Sequence, residues 1–438
     1  MKTLYGVLAL CFLSLLKPQH IHAQTFEVIA VFPSAYDARL QDTFRRWGGT
    51  IIDVSPYSNT RLWRFPESRS IPTDIYHSYR DRTEGVDRIR GSTAGVGTGG
   101  IPVEIVLNRP TLTDNTAGIN GSPLPITPPF PYLPKECSSL EPSLRIGFGQ
   151  KRSVTVAFLD TGIPCEGKGT DVKQSHPYLS TSNWRDPFNF INKTNLPNDD
   201  NGHGTATAGI VWSQFAVNGS ANRLTIMPLK VLDGSGRGTL FNLIKGIDYA
   251  SEKQADIINI SIISPDGTIY SKPTPIQYVI ELAYKKGILV VAASGNGSGS
   301  VGDNIDTQAK YCYPACAAND NLLVVGASIC NTGIAGFSNY GKKNVDIFAP
   351  GKGIRVFWRP TFKVGVIEAT SAVVDGTSYA TPIVTGIAAL MASHQGSNNA
   401  EAFKNAILSG STYQPYLAGK CVKDALINAP NALNLLPR

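Results

Sequence analysis

Two kinds of apolar pattern divide this chain. From about residue 153 onward, short continuous runs rich in β-branched residues recur: Val154–Leu159, Arg223–Val231, Asp256–Ile263, Ile288–Ala293, Leu322–Ala327 and Val345–Ala349. Such runs are the mark of strands buried on both faces. Between and after them, Gly238–Glu252, Ile276–Lys286, Ala380–His394 and Asn399–Ser409 place apolar residues at helical spacing. Strand alternating with helix predicts an α/β fold, a doubly wound, mostly parallel sheet with helices on both faces.

The N-terminal pattern is different. Phe26–Phe32 reads as a strand and Ala35–Trp47 as a helix, which Gly48 and Gly49 break. Thr50–Val54 and Thr60–Phe65 read as two strands around a Pro-Tyr-Ser-Asn turn, Ile71–Ile89 as a second helix and Ile101–Leu107 as a last strand. The order βαββαβ predicts a small ferredoxin-like α+β domain. Thr111–Leu133, rich in Pro, Gly, Asn and Thr, reads as an exposed linker. The expected division is therefore a leader at 1–23, a small domain at 24–110, a linker at 111–145 and the large domain at 146–438.

The leader suggests the compartment. Lys2 precedes an apolar stretch, Leu4–Leu16, that is too short to span a bilayer. Ile21-His22-Ala23 then offers a signal-peptidase site before Gln24. Lipid attachment at Cys11 is the alternative, but bulky Leu10 stands immediately before that cysteine, which also comes early, so ordinary secretion is expected. No later run is long and apolar enough for a membrane anchor. Setting Cys11 aside leaves an even set, Cys137, Cys165, Cys312, Cys316, Cys330 and Cys421, as a secreted disulfide protein would have. Cys312 and Cys316 are the closest pair, and a bridge stapling their loop is expected in preference to zinc. The net charge of +7 is dispersed and often paired, as in Arg80-Asp81-Arg82, without a basic stripe interleaved with aromatics. Nucleic acid is thus a poor partner.

Three segments carry chemistry. Val154–Asp160 is a strand ending in a carboxylate followed by Thr161-Gly162, at the end where open α/β sheets place their sites. Asn201-Gly202-His203-Gly204-Thr205 sets a histidine among glycines before small residues that suit a tightly packed helix. Asp375-Gly376-Thr377-Ser378-Tyr379-Ala380-Thr381-Pro382 leads an exposed serine loop into an apolar helix, whose N-terminus favours anions. The order Asp, His, Ser differs from the orders of other serine hydrolase folds. Each residue also has an ordinary use as a helix cap, core histidine or turn residue. Three such coincidences in this order are the weaker explanation.

These segments resemble the signature blocks of the subtilisin-like (subtilase) serine peptidases, over about Ser153–Ala392. The resemblance implies a serine endopeptidase with Asp160, His203 and Ser378 as its triad. Val290–Gly297 resembles the family's oxyanion block, which assigns the Asn296 amide as one donor and the Ser378 N–H as the other. By the same likeness Ser261-Ile262-Ile263 and Ala293-Ser294-Gly295 line the specificity pocket and pair with substrate backbone. The family usually has glycine where Ile263 stands, and neither segment holds an acid to meet a basic side chain. Apolar or aromatic residues before the scissile bond are expected. The segment 24–110 resembles the subtilase propeptide, so the chain's own N-terminal domain is an expected intramolecular inhibitor beside polypeptide substrates. No cofactor is required. Structural calcium, which many relatives bind, would use Asp199, Asp200 and Asp303. A monomer is expected. Two other classes compete with this reading: a secreted esterase with the same triad, and a noncatalytic binding protein on a peptidase fold.

Overall fold

A computed structural model describes residues 9–11, 25–31, 37–46, 48–58, 60–66, 104–106, 137, 151–168, 171–179, 182–263, 275–297, 302–307, 312–363 and 366–436. The second helix expected in the small domain, most of the leader and most of the linker lie outside these residues.

In the N-terminal part, β1 (Ala9–Cys11), β2 (Thr25–Val31), α1 (Asp37–Arg46), β3 (Thr50–Ser55) and β4 (Thr60–Pro66) form one antiparallel sheet in the order β1-β2-β4-β3. Its core holds Phe44 from α1 against Trp63 from β4, both fully buried with ring centroids 4.9 Å apart. The strand expected to complete this sheet does not join it. β5 (Glu104–Val106) pairs instead, antiparallel, with a short strand of the large domain, β12 (Arg237–Thr239). On β2, that edge carries β1, three residues of the expected leader. An extended segment satisfies its backbone groups on whichever edge it can reach, and nothing local to Ile101–Leu107 distinguishes the two.

The large domain is built on one sheet. β6 (Val154–Asp160) opens it. The ribbon β7 (Cys165–Lys168) with β8 (Asp171–Gln174) follows, then the short edge strands β9 (Asn183–Trp184) and β10 (Phe188–Asn189). Next come α2 (His203–Val217), β11 (Leu224–Lys230), α3 (Leu240–Glu252), β13 (Ile257–Ile260), α4 (Pro275–Lys285) and β14 (Leu289–Ala293). The chain continues through β15 (Leu322–Ile329), β16 (Gly333–Ile334) and β17 (Ile347–Pro350). A hairpin of β18 (Ile354–Lys363) and β19 (Val366–Val374) leads to α5 (Thr377–Gln395). Then follow α6 (Ala400–Gly410), β20 (Thr412–Tyr413), β21 (Ala425–Leu426) and α7 (Ala429–Asn434). The sheet order is β10-β11-β6-β13-β14-β15-β17-β21-β20, parallel as far as β21.

This order has a physical consequence at β6. The connection from β6 through α2 goes to β11 on one side, and the next, through α3, returns to β13 on the other. The direction of winding therefore reverses at β6, and a crevice opens beyond its C-terminal end. Every residue of β6 is buried, as the continuous apolar run requires. One core, holding Val156, Phe158, Phe215, Tyr379, Ile383 and Phe403, lies between the sheet and α2, α5, α6 and α7. The other, with Leu159, Met227, Leu243, Ile258, Ile280 and Val290, lies between the sheet and α3 and α4. The doubly wound α/β architecture is thus the one the apolar pattern implies.

One expectation about the cysteines fails. Cys137 is bridged to Cys330 across 193 residues, whereas Cys312 and Cys316 remain buried thiols. The Cys316 N–H donates to the Cys312 carbonyl at 2.8 Å, and the two sulfurs go separately to the carbonyls of Ser294 and Ile305, each at 3.5 Å. The Cys165 thiol, raised to about 12 by burial and by Asp199, holds no thiolate at neutral pH and is no rival nucleophile. Among the described residues no helix is long and apolar enough to cross a membrane.

Candidate active site

Asp160 ends β6, at the crevice. β11 pairs with the strand as far as Asp160 itself and β13 as far as Phe158, so the Asp160 carboxylate is held by the sheet rather than by a mobile loop. Oδ1 accepts from the Thr161 N–H at 2.7 Å. His203 is the first residue of α2, and its Nδ1 lies 2.8 and 3.0 Å from the two Asp160 oxygens. Both side chains are about 1 % exposed, which excludes water from the pair and fixes the imidazole ring by its acidic partner. With Nδ1 so engaged, Nε2 is buried and has no hydrogen-bond partner in the structure.

The approach of α2 to β6 needs two glycines. A Cβ on Gly204 would stand 2.0 Å from the Gly162 carbonyl oxygen, and Gly202 adopts φ +117°, a backbone region that favours glycine. Asp199 then ties the turn together. Its Oδ1 accepts from the Thr161 hydroxyl at 2.9 Å, the Asn201 N–H at 3.0 Å and the Gly202 N–H at 2.8 Å. Its Oδ2 accepts from the Thr205 N–H at 2.9 Å and the Thr205 hydroxyl at 2.5 Å. The sequence offered Asp199 either as a calcium ligand or as a solvated loop acid; in the structure the carboxylate caps the histidine helix. The available signal was an acid placed just ahead of the first turn, Gly202–Thr205.

Ser378 is carried by α5, which packs on the same face of the sheet as α2. It lies in the first turn of α5, fully buried, not on an exposed loop as expected. The reason is that α5 is buried from Thr377 to Ser393, so even its first turn is inside the fold. Its Oγ donates to the Ser261 carbonyl at 2.8 Å. The Tyr379 ring bridges the two halves of the site, with its centroid 5.4 Å from that of His203. Asn296 sits beside the same turn. Its Oδ1 accepts from the Thr377 N–H at 3.1 Å and the Thr377 hydroxyl at 3.0 Å, which fixes the amide and directs Nδ2 away from Thr377. Asp375 closes the loop by accepting the Gly353 N–H at 2.6 Å, and burial pushes its carboxyl up.

The two segments read as substrate-binding come together. Gly295 adopts φ +95°, and a Cβ there would be 2.7 Å from the Ile263 Cδ1. Ser261 is fixed through its Oγ, which accepts from Asn259 Nδ2 at 3.0 Å, while Asn259 Oδ1 accepts the Thr385 hydroxyl at 2.8 Å. Ser294 donates to the Asn339 carbonyl at 3.1 Å and receives Asn339 Nδ2 at its own carbonyl at 3.1 Å. Ile262, Ala293 and Ser294 are fully buried and Ile263 nearly so.

The residues expected to hold calcium do not fit one. Both oxygens of Asp199 are filled by protein donors, as above, and Asp200 is paired with Lys230 at 2.7 Å. Asp303 lies apart from both, and no group of three or more His, Cys, Asp or Glu able to hold a metal occurs among the described residues. Lys230 itself is buried and also donates to the Thr161 carbonyl, so this ammonium helps to hold the strand end that carries Asp160.

The geometry is a histidine oriented by a buried carboxylate, a serine opening a buried helix, and a fixed amide beside it. The model of the Subtilase family (Peptidase_S8) matches residues 151–429. Subtilisin DY of Bacillus licheniformis is 31% identical over 264 residues, 59% of this chain and 84% of its own. Thermitase of Thermoactinomyces vulgaris is 34% identical over 245 residues, 54% of this chain and 74% of its own. A solved structure described as a cold adapted subtilisin-like serine proteinase covers 64% of this chain and 91% of its own, at 25% identity and a TM-score of 0.48. Because the family match runs unbroken from the strand that ends in Asp160, through the His203 and Asn296 segments, past the helix that Ser378 opens, the chain belongs to the subtilase family and is a serine-type endopeptidase.

Proposed function

We propose that this protein is a secreted, self-processing endopeptidase whose chemistry is carried by Ser378, His203, Asp160 and Asn296. The observation that carries the reading is the buried His203–Asp160 contact at 2.8 Å, which engages Nδ1 and leaves Nε2 without a partner. Rotation of Ser378 about its Cα–Cβ bond exchanges the Ser261 carbonyl for Nε2, and His203 then takes the hydroxyl proton as Oγ attacks a peptide carbonyl. Asp160 stabilises the imidazolium. The oxyanion meets Asn296 Nδ2 and the Ser378 N–H, with the N-terminus of α5 adding positive potential. Collapse of the intermediate returns the proton from His203 to the leaving amine, and water repeats the sequence on the acyl-enzyme.

The N-terminal domain is read as an inhibitory propeptide because of where it sits. Lys245 of α3, itself buried, is 2.6 Å from Asp53 of β3, and Ser55 donates to the buried Asp248. Burial pushes Asp248 up, opposed by its bonds to Ser55 and Ser58. For Asp53 burial acts upward too, but the Lys245 ammonium outweighs it and holds the carboxyl below its usual range. Tyr57 meets Tyr249 at 6.2 Å. β5 then runs along β12 toward the loop around Gly234, whose carbonyl accepts from Asn201 beside His203. A chain entering on this path reaches Ser378 as a substrate would, by strand addition.

The test compares the full chain with Ser378→Ala in a protease-free host. Wild type is expected to shorten near the 111–145 linker and to digest casein, while Ser378→Ala accumulates at full post-leader length. Ser378→Ala and His203→Ala should be equally inactive and the double variant little worse. Normal shortening of the inactive variant would remove self-processing from this reading.

A further inference from the structure

β11 ends in register with β6, so that Lys230 stands opposite Asp160. Side chains alternate along a strand, and Lys230 and Asp160 share the parity of Ile226, Val156 and Phe158, which belong to the core under α2 and α5. Lys230 is therefore on the face of the sheet that carries the triad. Its ammonium is almost wholly buried and donates to the Thr161 carbonyl and, at 2.7 Å, to Asp200. Thr161 gives its N–H to the Asp160 carboxylate, while its hydroxyl oxygen accepts from the Gly204 N–H at 2.9 Å. Asp200 precedes the His203 turn and lies on Gly234, where a Cβ would be 2.8 Å from its carboxyl carbon. One buried cation thus clamps the end of β6 to the turn that opens α2.

Bracing a strand end does not by itself call for a charge, since a carbonyl accepts equally from a neutral donor. A buried ammonium is costly unless well paired, and Asp200 pairs it weakly, being 55 % exposed and screened by water. The surroundings explain the charge. Carboxylates approach the triad from several elements: Asp160 from β6, Asp199 from the turn before α2 and Asp375 ahead of α5, all acting on the Tyr379 ring beside His203. Asp233, after β11, and Cys165, of β7, lie within the field of Lys230 itself. Burial, together with these acids, keeps the Tyr379 phenol and the Cys165 thiol protonated, so neither adds a charge. Each ionised carboxylate favours a proton on His203, and only an unprotonated imidazole can act as the base. Lys230 opposes them from inside the fold, where solvent screens little.

We propose that Lys230 is a positioning residue of the hydrolysis, a buried cation that fixes the Asp160 strand end against the His203 turn and offsets the acids that would otherwise hold a proton on the imidazole. This rests on the peptidase mechanism given above, in which His203 is the base. Asp200 has the opposite effect. Its carboxylate compensates the Lys230 charge, so removing it leaves the cation stronger while the Thr161 carbonyl still holds the ammonium. Loss of the cation and loss of its counterion therefore move the imidazole in opposite directions, which a purely structural brace would not do.

The test is the pH dependence of kcat/KM on a neutral peptide p-nitroanilide, whose acid limb reports the proton on His203 in the free enzyme. The self-processed enzyme is compared with Lys230→Met, similar in length but uncharged, and with Asp200→Asn. Lys230→Met should move the acid limb up by about half a pH unit or more, and Asp200→Asn should move it down, with KM nearly unchanged in both. An unmoved limb in Lys230→Met, however low its activity, would reduce Lys230 to a structural brace. Limbs moving the same way in both variants would contradict the assigned charges. Either result overturns the proposal. Should Lys230→Met not accumulate, Asp200→Asn decides alone: a limb shifted down supports the proposal, and one that stays or rises refutes it. A wild type that cleaves no substrate, or that shows no acid limb in the histidine range, would instead refute the mechanism on which the proposal rests.

Discussion

His176 makes the fold acid-sensitive, by an amount that can be worked out. Its ring is fully buried among Phe357 and Tyr178, and Nδ1 accepts the Tyr178 N–H at 3.3 Å, which requires a neutral imidazole. Burial, opposed in part by the Trp358 backbone, lowers its pKa from 6.5 to about 4. In the unfolded chain the ring binds a proton near its ordinary value, so between those limits the unfolded state holds more protons. The stabilising contribution is thus fully present above pH 6.5 and is lost as pH falls toward 4. A shift of that size corresponds to about 3 kcal/mol. The assay is urea unfolding of the full post-leader chain carrying Ser378→Ala, which prevents autolysis, at several pH values from 7 to 4. His176→Asn serves as the comparison, because its Oδ1 can take the Tyr178 N–H and cannot titrate there. Carboxylates act alike in both proteins and cancel in the difference. The histidine protein should lose about 3 kcal/mol more than the asparagine variant across this range. Parallel curves would refute the reasoning, and so would a greater loss in the variant.

Three further outcomes are expected. Asn296→Ala should lower kcat with KM nearly unchanged, since the oxyanion exists only after attack; the expected factor, on the order of 10²–10³, is the one known for such a donor in a subtilisin rather than one worked out from this structure. Lys245→Ala removes the buried partner of Asp53, so inhibition of mature enzyme by added segment 24–110 should weaken at least about tenfold, read from the inhibition constant. Cys137→Ser opens a bridge spanning 193 residues and should cost about 2–5 kcal/mol in unfolding of Ser378→Ala protein, with non-reducing peptide mapping showing Cys137 joined to Cys330 in the parent.

Much of the architecture was legible along the chain. Buried parallel strands have to be apolar on both faces, so β6, β11, β13, β14 and β15 stand out as β-branched runs, with boundaries within a few residues of those observed. The helices between them carry their period openly, and Asp160, His203 and Asn296 follow or open such elements, where position alone suggests chemistry. The strand β5 is legible as a strand, but its partner is not, because an extended segment has no local mark for the edge it joins. The bridge of Cys137 to Cys330, the cap that Asp199 makes on α2 and the reach of Lys230 to Thr161 and Asp200 have the same character. Each depends on contacts between residues far apart in sequence, made when the sheet brings their strand ends together. Local pattern records which backbone conformation and which face a residue prefers. Which distant groups finally meet is decided by how the buried layers pack, and no short window of sequence contains that information.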